Sequence, residues 1–158
     1  MDWIDLGKEL KWLRDRGSLR LVQQDSIDVA KRQCRDLGFS IITIDGSRID
    51  SDEAFHREVK EALAFPDYYG MNWNAFNDSI GDFYELNRGK RCCIFVEHFD
   101  QILSSDLKTA LYICHQLLHI GYVSFLERGS YDPEQAQIEA MFCGMGDAYD
   151  KPTDEKEA

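Results

Sequence analysis

Apolar residues recur along this chain in two patterns, one typical of buried strands and one typical of amphipathic helices. Continuous apolar runs predict three strands, at Phe39–Ile44, Arg91–Glu97 and Tyr122–Leu126. Apolar residues spaced three or four positions apart predict helices between these strands. Short apolar strands separated by helices are typical of a parallel sheet covered by helices. The pattern therefore predicts an α/β fold with a three-stranded parallel sheet.

Helix start and stop signals fall around these strands. Asp50 and Glu53 have the spacing of a capping box, and the helix that follows must end before Pro66. Gly38 and Gly121 are expected to end two other helices. The remaining predicted elements are a short amphipathic helix over Trp3–Arg14, a possible edge strand over Ser18–Gln23, a helix from the cap Ser26 to Leu37, a helix from Asn72 to about Glu85, and a helix opened by Ser105 or Asp106.

The same spacing predicts which side chains of these helices face the core. Core-facing positions in the four longer helices are Ile27, Ala30 and Cys34; Phe55, Val59, Ala62 and Leu63; Phe76, Ile80 and Phe83, flanked by Trp73 and Tyr84; and Leu107, Ala110, Leu111, Cys114, Leu117 and Leu118.

These patterns divide the chain into three parts. Residues 39–128 hold the predicted sheet and form the main domain. Residues 1–38 are expected to be an extension packed on that domain, where the helix and possible edge strand extend the sheet or mask its edge. Residues 129–158 become polar and mostly acidic from Gly144 onward, so we expect a partly disordered extension.

The overall charge limits the class of partner. The chain has 158 residues, 44% of them hydrophobic, and a formal net charge of −11. Non-specific nucleic-acid binding needs clustered Lys and Arg, so this charge argues against it and against anionic membrane surfaces. No apolar run is long enough to span a membrane, and the N-terminal residues lack a secretory signal pattern. We therefore expect a cytoplasmic protein suited to a basic partner.

A negatively charged segment lies in the middle of the chain. The stretch from Glu61 to Asn87 holds five acidic residues and no Lys or Arg. On a helical wheel, the helix from Asn72 has a small, polar and acidic face opposite its core stripe, with Asp78 near the middle of that face. Gly81 costs this helix about 1 kcal/mol relative to Ala but leaves room for a close approach by another molecule. The residues of this face are Asn74, Asn77, Asp78, Gly81 and Asp82.

The residues before this helix carry a more specific signal. The string Pro66-Asp67-Tyr68-Tyr69-Gly70-x-Asn72-x-x-Ala75, followed by Asp78, resembles the barstar family, the intracellular inhibitors of barnase-type ribonucleases. The resemblance extends over roughly residues 39–127. It implies a barstar-like fold and a protein that binds a basic ribonuclease, or a ribonuclease-like toxin, without catalysis or a cofactor. An immunity protein is one form of this function.

The resemblance also implies the roles of individual residues. Tyr68 and Gly70 would contact the partner, and Asn72 would cap the helix and shape the loop. Asp78 would enter the nuclease site where the substrate phosphate sits, because a fixed carboxylate can form charge-assisted hydrogen bonds with the Arg, Lys and His side chains there. The full predicted partner-binding set is Tyr68, Tyr69, Gly70, Asn72, Asn74, Asn77, Asp78, Gly81, Asp82 and Gln116.

The chain departs from the family pattern at three of these positions. Asn74 and Gln116 are amides where the family has acids, and Asn77 stands where the family has Trp. Asp82, one turn after Asp78, adds a charge that partly compensates. These changes leave the fold assignment intact and favour a partner other than barnase itself.

Two other functions remain open from the residues. His115 and His119 share a helix face and would serve a metal-dependent enzyme together with Asp78 and Asp82, although no Glu follows His115 as it does in a metalloprotease helix. Alternatively, the chain is a scaffold module that binds a non-nuclease protein. The five cysteines include no C-x-x-C, so reduced thiols are expected, and the adjacent Cys92 and Cys93 fit packing better than redox chemistry.

Overall fold

The structure is a computed structural model that describes residues 2–14, 16–127 and 134–154. In chain order its elements are α1 (Leu6–Glu9), β1 (Leu21–Gln23), α2 (Ile27–Asp36), β2 (Phe39–Asp45), α3 (Asp52–Ala62), α4 (Trp73–Leu86), β3 (Arg91–Glu97), α5 (Phe99–Ser105), α6 (Leu107–Glu127) and β4 (Gln137–Gly144).

The described strands form one parallel sheet in the order β1-β4-β3-β2. Two hydrophobic clusters cover its faces. The larger contains the buried residues of α3, α4, α5 and α6 together with Ile94 and Val96 of β3, and the smaller contains those of α1 and α2 with Cys93 and Phe95. Adjacent β3 residues thus face opposite layers, as the pleat of a strand requires. The fold is a sheet between two helical layers.

The predicted α/β class and parallel sheet are confirmed, but the sheet has four strands among the described residues and not three. The third strand was wrongly placed at Tyr122–Leu126. That segment continues helix α6, which runs through Gly121 to Glu127. The strand that the sequence pattern did not predict is β4, which pairs with β3 on one side and with β1 on the other.

β4 escaped sequence-based detection because two of its buried residues are polar. Gln137 bonds to the backbone of Ile4, accepting from its N–H at 3.0 Å and donating to its C=O at 2.7 Å. Glu139 forms an ion pair with Arg20 at 3.1 Å, and both side chains are largely buried. The partners lie more than a hundred residues away in the chain, so a local pattern could not reveal them.

The inward face of α6 was also partly misassigned. Ala110 and Leu117 are buried as predicted, but Leu107 and Leu111 are more than half exposed. Ile113 and Ile120 are buried in their place. The core-facing stripe is therefore rotated relative to the predicted one.

The N-terminal elements are shorter than predicted. The helix expected over Trp3–Arg14 is reduced to α1, and the possible edge strand is confirmed as β1. Ser26 precedes α2 without a capping bond from its side chain, and Ser51, not Asp50, caps α3 by accepting from the Ala54 N–H at 3.2 Å.

The proposed division of the chain into 1–38, 39–128 and 129–158 stays a prediction. The sheet draws β1 from the first segment, β2 and β3 from the second and β4 from the third. Residues 129–133 and 155–158, part of the extension expected to be partly disordered, lie outside the described residues.

Among the described helices, none combines the length and apolar character of a membrane span.

Candidate functional site

The loop between α3 and α4 has a fixed shape. Two residues that are not glycine, Ala64 and Met71, adopt left-handed conformations at φ 54° and φ 56°, and they stand near the two ends of the loop. Such conformations cost about 1 kcal/mol each and persist only where the surroundings impose them. Between them, the Tyr69 N–H donates to the Pro66 carbonyl at 2.9 Å and closes a tight turn.

Buried aromatic side chains hold this loop against the core. Phe65 and Tyr69 are both buried, with ring centroids 4.9 Å apart, and Phe65 also packs on Phe76 of α4. The Tyr69 hydroxyl lies 2.6 Å from Nδ1 of the buried His56 on α3. Burial lowers the pKa of His56, although the nearby Asp52 carboxylate opposes this shift. The His56–Tyr69 pair therefore joins the loop to α3 in the neutral state of the imidazole.

Tyr68 lies on the opposite side of the loop from Tyr69. Its side chain is 86% exposed, in contrast with the buried Tyr69. Tyr68 and Gly70 are both exposed on the loop, and their role as contacts stays a prediction. Tyr69 is buried in this conformation and anchors the loop, so its predicted contact with a partner would require the loop to move.

Asn72 connects the loop to α4 in the way predicted for a cap. Its Oδ1 accepts from the Ala75 N–H at 2.8 Å, and its Nδ2 donates to the Gly70 carbonyl at 3.0 Å. A Cβ added at Gly70 would approach the Asn72 amide to 3.3 Å and the Ala75 Cβ to 3.2 Å. A side chain at this position would therefore crowd the cap residue and the first turn of α4.

Helix α4 presents the two faces predicted from its sequence. Phe76, Ile80, Phe83 and Tyr84 are buried, and the side of the helix opposite them is exposed. We refer to this exposed side together with Tyr68 and Gly70 as the binding face. Its residues on α4 are Asn74, Asn77, Asp78, Gly81 and Asp82.

The carboxylates of the binding face, Asp78 and Asp82, are exposed. Within residues 2–14, 16–127 and 134–154, neither Asp78 nor Asp82 forms a hydrogen bond or ion pair. A Cβ added at Gly81 would meet nothing within 4 Å. Packing therefore explains neither the charges nor the glycine, and both remain free to serve an external partner.

Trp73, the first residue of α4, ties the binding face to two other helices. Its Nε1 donates to the Asp52 carboxylate of α3 at 3.1 Å. Its ring stacks on Phe55 with centroids 4.9 Å apart and on Tyr112 of α6 at 5.1 Å. Asp52 also accepts from the hydroxyl of Thr109 on α6. Periodicity placed Trp73 beside the core stripe, but its partners on α3 and α6 could not be read from the sequence.

Gln116 and the two histidines proposed as metal ligands lie on α6. Gln116 is half-buried, and His115 and His119 are exposed with rings 6.3 Å apart. In the described part of the chain, no three His, Cys, Asp or Glu side chains lie close enough together to hold a metal ion. Burial raises the pKa of the Cys92 thiol, and Lys90 opposes this effect only in part. Among the described residues, His115 and His119 therefore lack the third nearby ligand that a metal site requires.

Comparison with known proteins identifies the family. The model of the family described as "Barstar (barnase inhibitor)" matches residues 39–119, about half of the chain, and this range includes every predicted partner-binding residue. A Bacillus subtilis (strain 168) protein named "Putative ribonuclease inhibitor YrdF" is 40% identical over 45 residues. That match covers 28% of this chain and 50% of the relative, so the chain aligns with about half of that protein. The strand, loop and helix arrangement and the family match agree, and the chain belongs to the barstar family.

Proposed function

We propose that this protein inhibits a ribonuclease, or a ribonuclease-like toxin, by inserting its binding face into the basic active site of the enzyme. The observation that carries the proposal is Asp78. It is an exposed carboxylate near the middle of a rigid helix, and no described residue neutralises it. A ribonuclease cleft concentrates cationic side chains for a phosphate, and a carboxylate held in place can bind to the same groups.

Rigidity supports this proposal because it lowers the cost of association. The loop is held by buried Phe65 and Tyr69, and Asn72 locks the start of α4. Little conformational entropy is then lost when a partner binds. We propose that Tyr68 and Gly70 contact the partner directly, whereas Tyr69 and Asn72 hold the loop in its binding shape.

The remaining predicted contacts extend the same surface. Asn74, Asn77 and Asp82 are exposed beside Asp78, and Gln116 lies on α6, the helix that Trp73 joins to α4. The net charge of −11 favours rapid encounter with a basic protein. A cytoplasmic immunity role fits this function, since an inhibitor kept in the cytoplasm protects the cell from a nuclease made there.

The test is inhibition of RNA cleavage by a panel of purified microbial ribonucleases, with barnase as its first member. We expect inhibition by the wild type at one-to-one stoichiometry for at least one enzyme. Asp78→Ala should weaken that binding at least about a hundredfold, because it leaves the cations of the active site buried without a partner. Its melting temperature should stay close to that of the wild type.

Asp36→Ala is the matched control, because it removes an exposed carboxylate from α2 on the other side of the sheet. It should leave inhibition unchanged. A collapse of the melting temperature in Asp78→Ala would show that Asp78 is a structural residue and contradict the proposal. Undiminished binding of a non-nuclease protein by Asp78→Ala would instead support the scaffold function.

A further inference from the structure

Helix α6 carries an apolar surface that no described part of the chain covers. Leu107 is 57% exposed and Leu111 is 59% exposed, and Tyr112 lies beside them. With Lys108 and His115 they line a groove of about 520 Å³. We call this surface the apolar strip. Contiguous exposed apolar side chains bordered by polar residues are a feature of interaction sites.

The apolar strip adjoins the binding face. The Tyr112 ring stacks on Trp73, the residue that follows the cap Asn72, with centroids 5.1 Å apart. Gln116, a predicted contact, stands one helical turn after Tyr112 and therefore in the same row along α6. The stacked rings of Trp73 and Tyr112 thus connect the start of α4 with the strip. A partner that covers the binding face and extends over these rings would also contact the strip.

The binding face and the apolar strip differ in composition, and each supplies a kind of contact that the other lacks. The binding face carries amides at Asn74 and Asn77, and Gln116 on α6 is a third amide, so charge is concentrated in Asp78 and Asp82. Amides contribute less to recognition of a cationic cleft than carboxylates do. The strip offers apolar area next to the positions where charge is lacking.

Charge also distinguishes between possible occupants. A second copy docked on the strip would bring a second binding face, with its own Asp78 and Asp82, close to the first, in a protein of net charge −11. Repulsion between like charges disfavours that arrangement. A basic partner meets no such repulsion from Asp78 and Asp82. Among the residues that line the strip, Lys108 carries the one Lys or Arg charge that would repel a basic partner.

We propose that the apolar strip is a second part of the inhibitory interface, which takes an apolar side chain from the rim of the basic cleft of the bound ribonuclease. This inference rests on the proposed function. In it, Asp78 supplies the charge complementarity that all basic clefts share, and Leu107 and Leu111 select among ribonucleases by the apolar residues that border the cleft.

The experiment measures dissociation constants for four proteins against the panel of purified ribonucleases that begins with barnase. They are the wild type, the double variant Leu107→Ser/Leu111→Ser, the control Tyr122→Ser, and Asp78→Ala. Tyr122 is a suitable control because it lies on the same helix and is 53% exposed. Each variant is checked by circular dichroism melting, and we expect all of them to fold because the replaced side chains are largely exposed.

We expect the double variant to weaken binding of the best-bound ribonuclease about tenfold or more, mainly through faster dissociation, while Tyr122→Ser changes it less than about twofold. Wild-type affinity in the double variant, with binding lost in Asp78→Ala, would overturn this inference and leave the proposed function standing. Absence of wild-type binding to every enzyme of the panel would reject the proposed function, and this inference with it. A wild-type dimer in sedimentation that the double variant dissociates would show that a second copy covers the strip, which also overturns the inference.

Discussion

Two aspartates of this protein have opposite environments. Asp78 stands on α4, exposed, and no described residue bonds to it. Asp150 is only 3% exposed and lies between the N-terminal and C-terminal segments of the chain. It accepts hydrogen bonds from the side chains of Arg14 and Arg16 and from the Arg14 N–H at 2.9 Å. The first carboxylate is exposed without a described bonding partner, whereas the second stabilises the fold itself.

The region around Asp150 closes the β1 edge of the sheet. The Gln23 N–H donates to the Asp150 carbonyl, and the Asp150 N–H donates to the Leu21 carbonyl, both at 2.8 Å. A sheet edge left open invites pairing with other chains, and this backbone pairing covers it. The comparison teaches that acidic residues in a strongly acidic protein serve separate purposes, which burial and partners distinguish and composition does not.

Removal of the Asp150 carboxylate should have the larger effect on folding. Asp150→Ala leaves Arg14 and Arg16 without their buried partner, and we expect a loss of about 2 kcal/mol in the free energy of unfolding. This value is below that of fully buried pairs because the Arg14 side chain is 56% exposed. Urea denaturation measures the loss, and ribonuclease inhibition at saturating protein should be retained.

The control for this variant is Asp147→Ala, which removes an exposed carboxylate three residues earlier. It should leave stability within about 0.5 kcal/mol of the wild type. Equal stability of the two variants would show that Asp150 does not hold the terminal segments together. Loss of inhibition without loss of stability in Asp150→Ala would show that Asp150 serves binding and not folding, which contradicts the proposed difference from Asp78.

Gly81→Ala should increase the stability of the fold and weaken binding of the partner. Alanine is the better helix former and meets nothing within 4 Å, so we expect about 0.5–1 kcal/mol of added stability. The added methyl group stands on the binding face, so binding to the inhibited ribonuclease should weaken severalfold. Thermal melting and a titration of inhibition measure the two effects.

Gly121→Ala on α6 tests whether the weakened binding reflects the position of the glycine. It makes the same change in a helix, and its Cβ would lie 3.4 Å from the Ile138 carbonyl, an ordinary contact. Binding should remain at the wild-type level in this variant. Unchanged binding in Gly81→Ala would mean that the partner does not approach this part of α4.

The smallest expected effect concerns pH. Because burial lowers the pKa of His56 below its ordinary value of 6.5, the unfolded chain takes up a proton at higher pH than the folded protein does. This contribution to stability is therefore complete above about pH 6.5 and is lost as the pH falls through the lowered pKa. Denaturation curves between pH 7 and pH 5 should show a steeper loss of stability in the wild type than in His56→Gln.

His119→Gln, at an exposed histidine, should retain the wild-type dependence on pH. Parallel curves for the wild type and His56→Gln would exclude His56 as the titrating group. A pH dependence of inhibition that disappears with His56→Gln would show in addition that the His56–Tyr69 contact holds the loop in its binding shape.

The sequence by itself determined the elements whose signals are local. The buried stripe of Phe76, Ile80 and Phe83 follows from helical periodicity, and Asn72 caps α4 because its side chain reaches the backbone three residues on. The family pattern around Tyr68 is equally local. For these reasons α4, its exposed face and strands β2 and β3 were predicted close to their observed bounds.

Only the tertiary structure decided what depends on residues distant in the chain. β4 is a buried strand although Gln137 and Glu139 are polar, because Ile4 and Arg20 satisfy them. Tyr69 and Tyr68 are chemically identical neighbours, and the contacts of Tyr69 with His56 and Phe65 determine which is an anchor and which is exposed. Hydrogen bonds and packing across the fold set the burial of a side chain, and periodicity cannot report contacts that the chain makes only after it has folded.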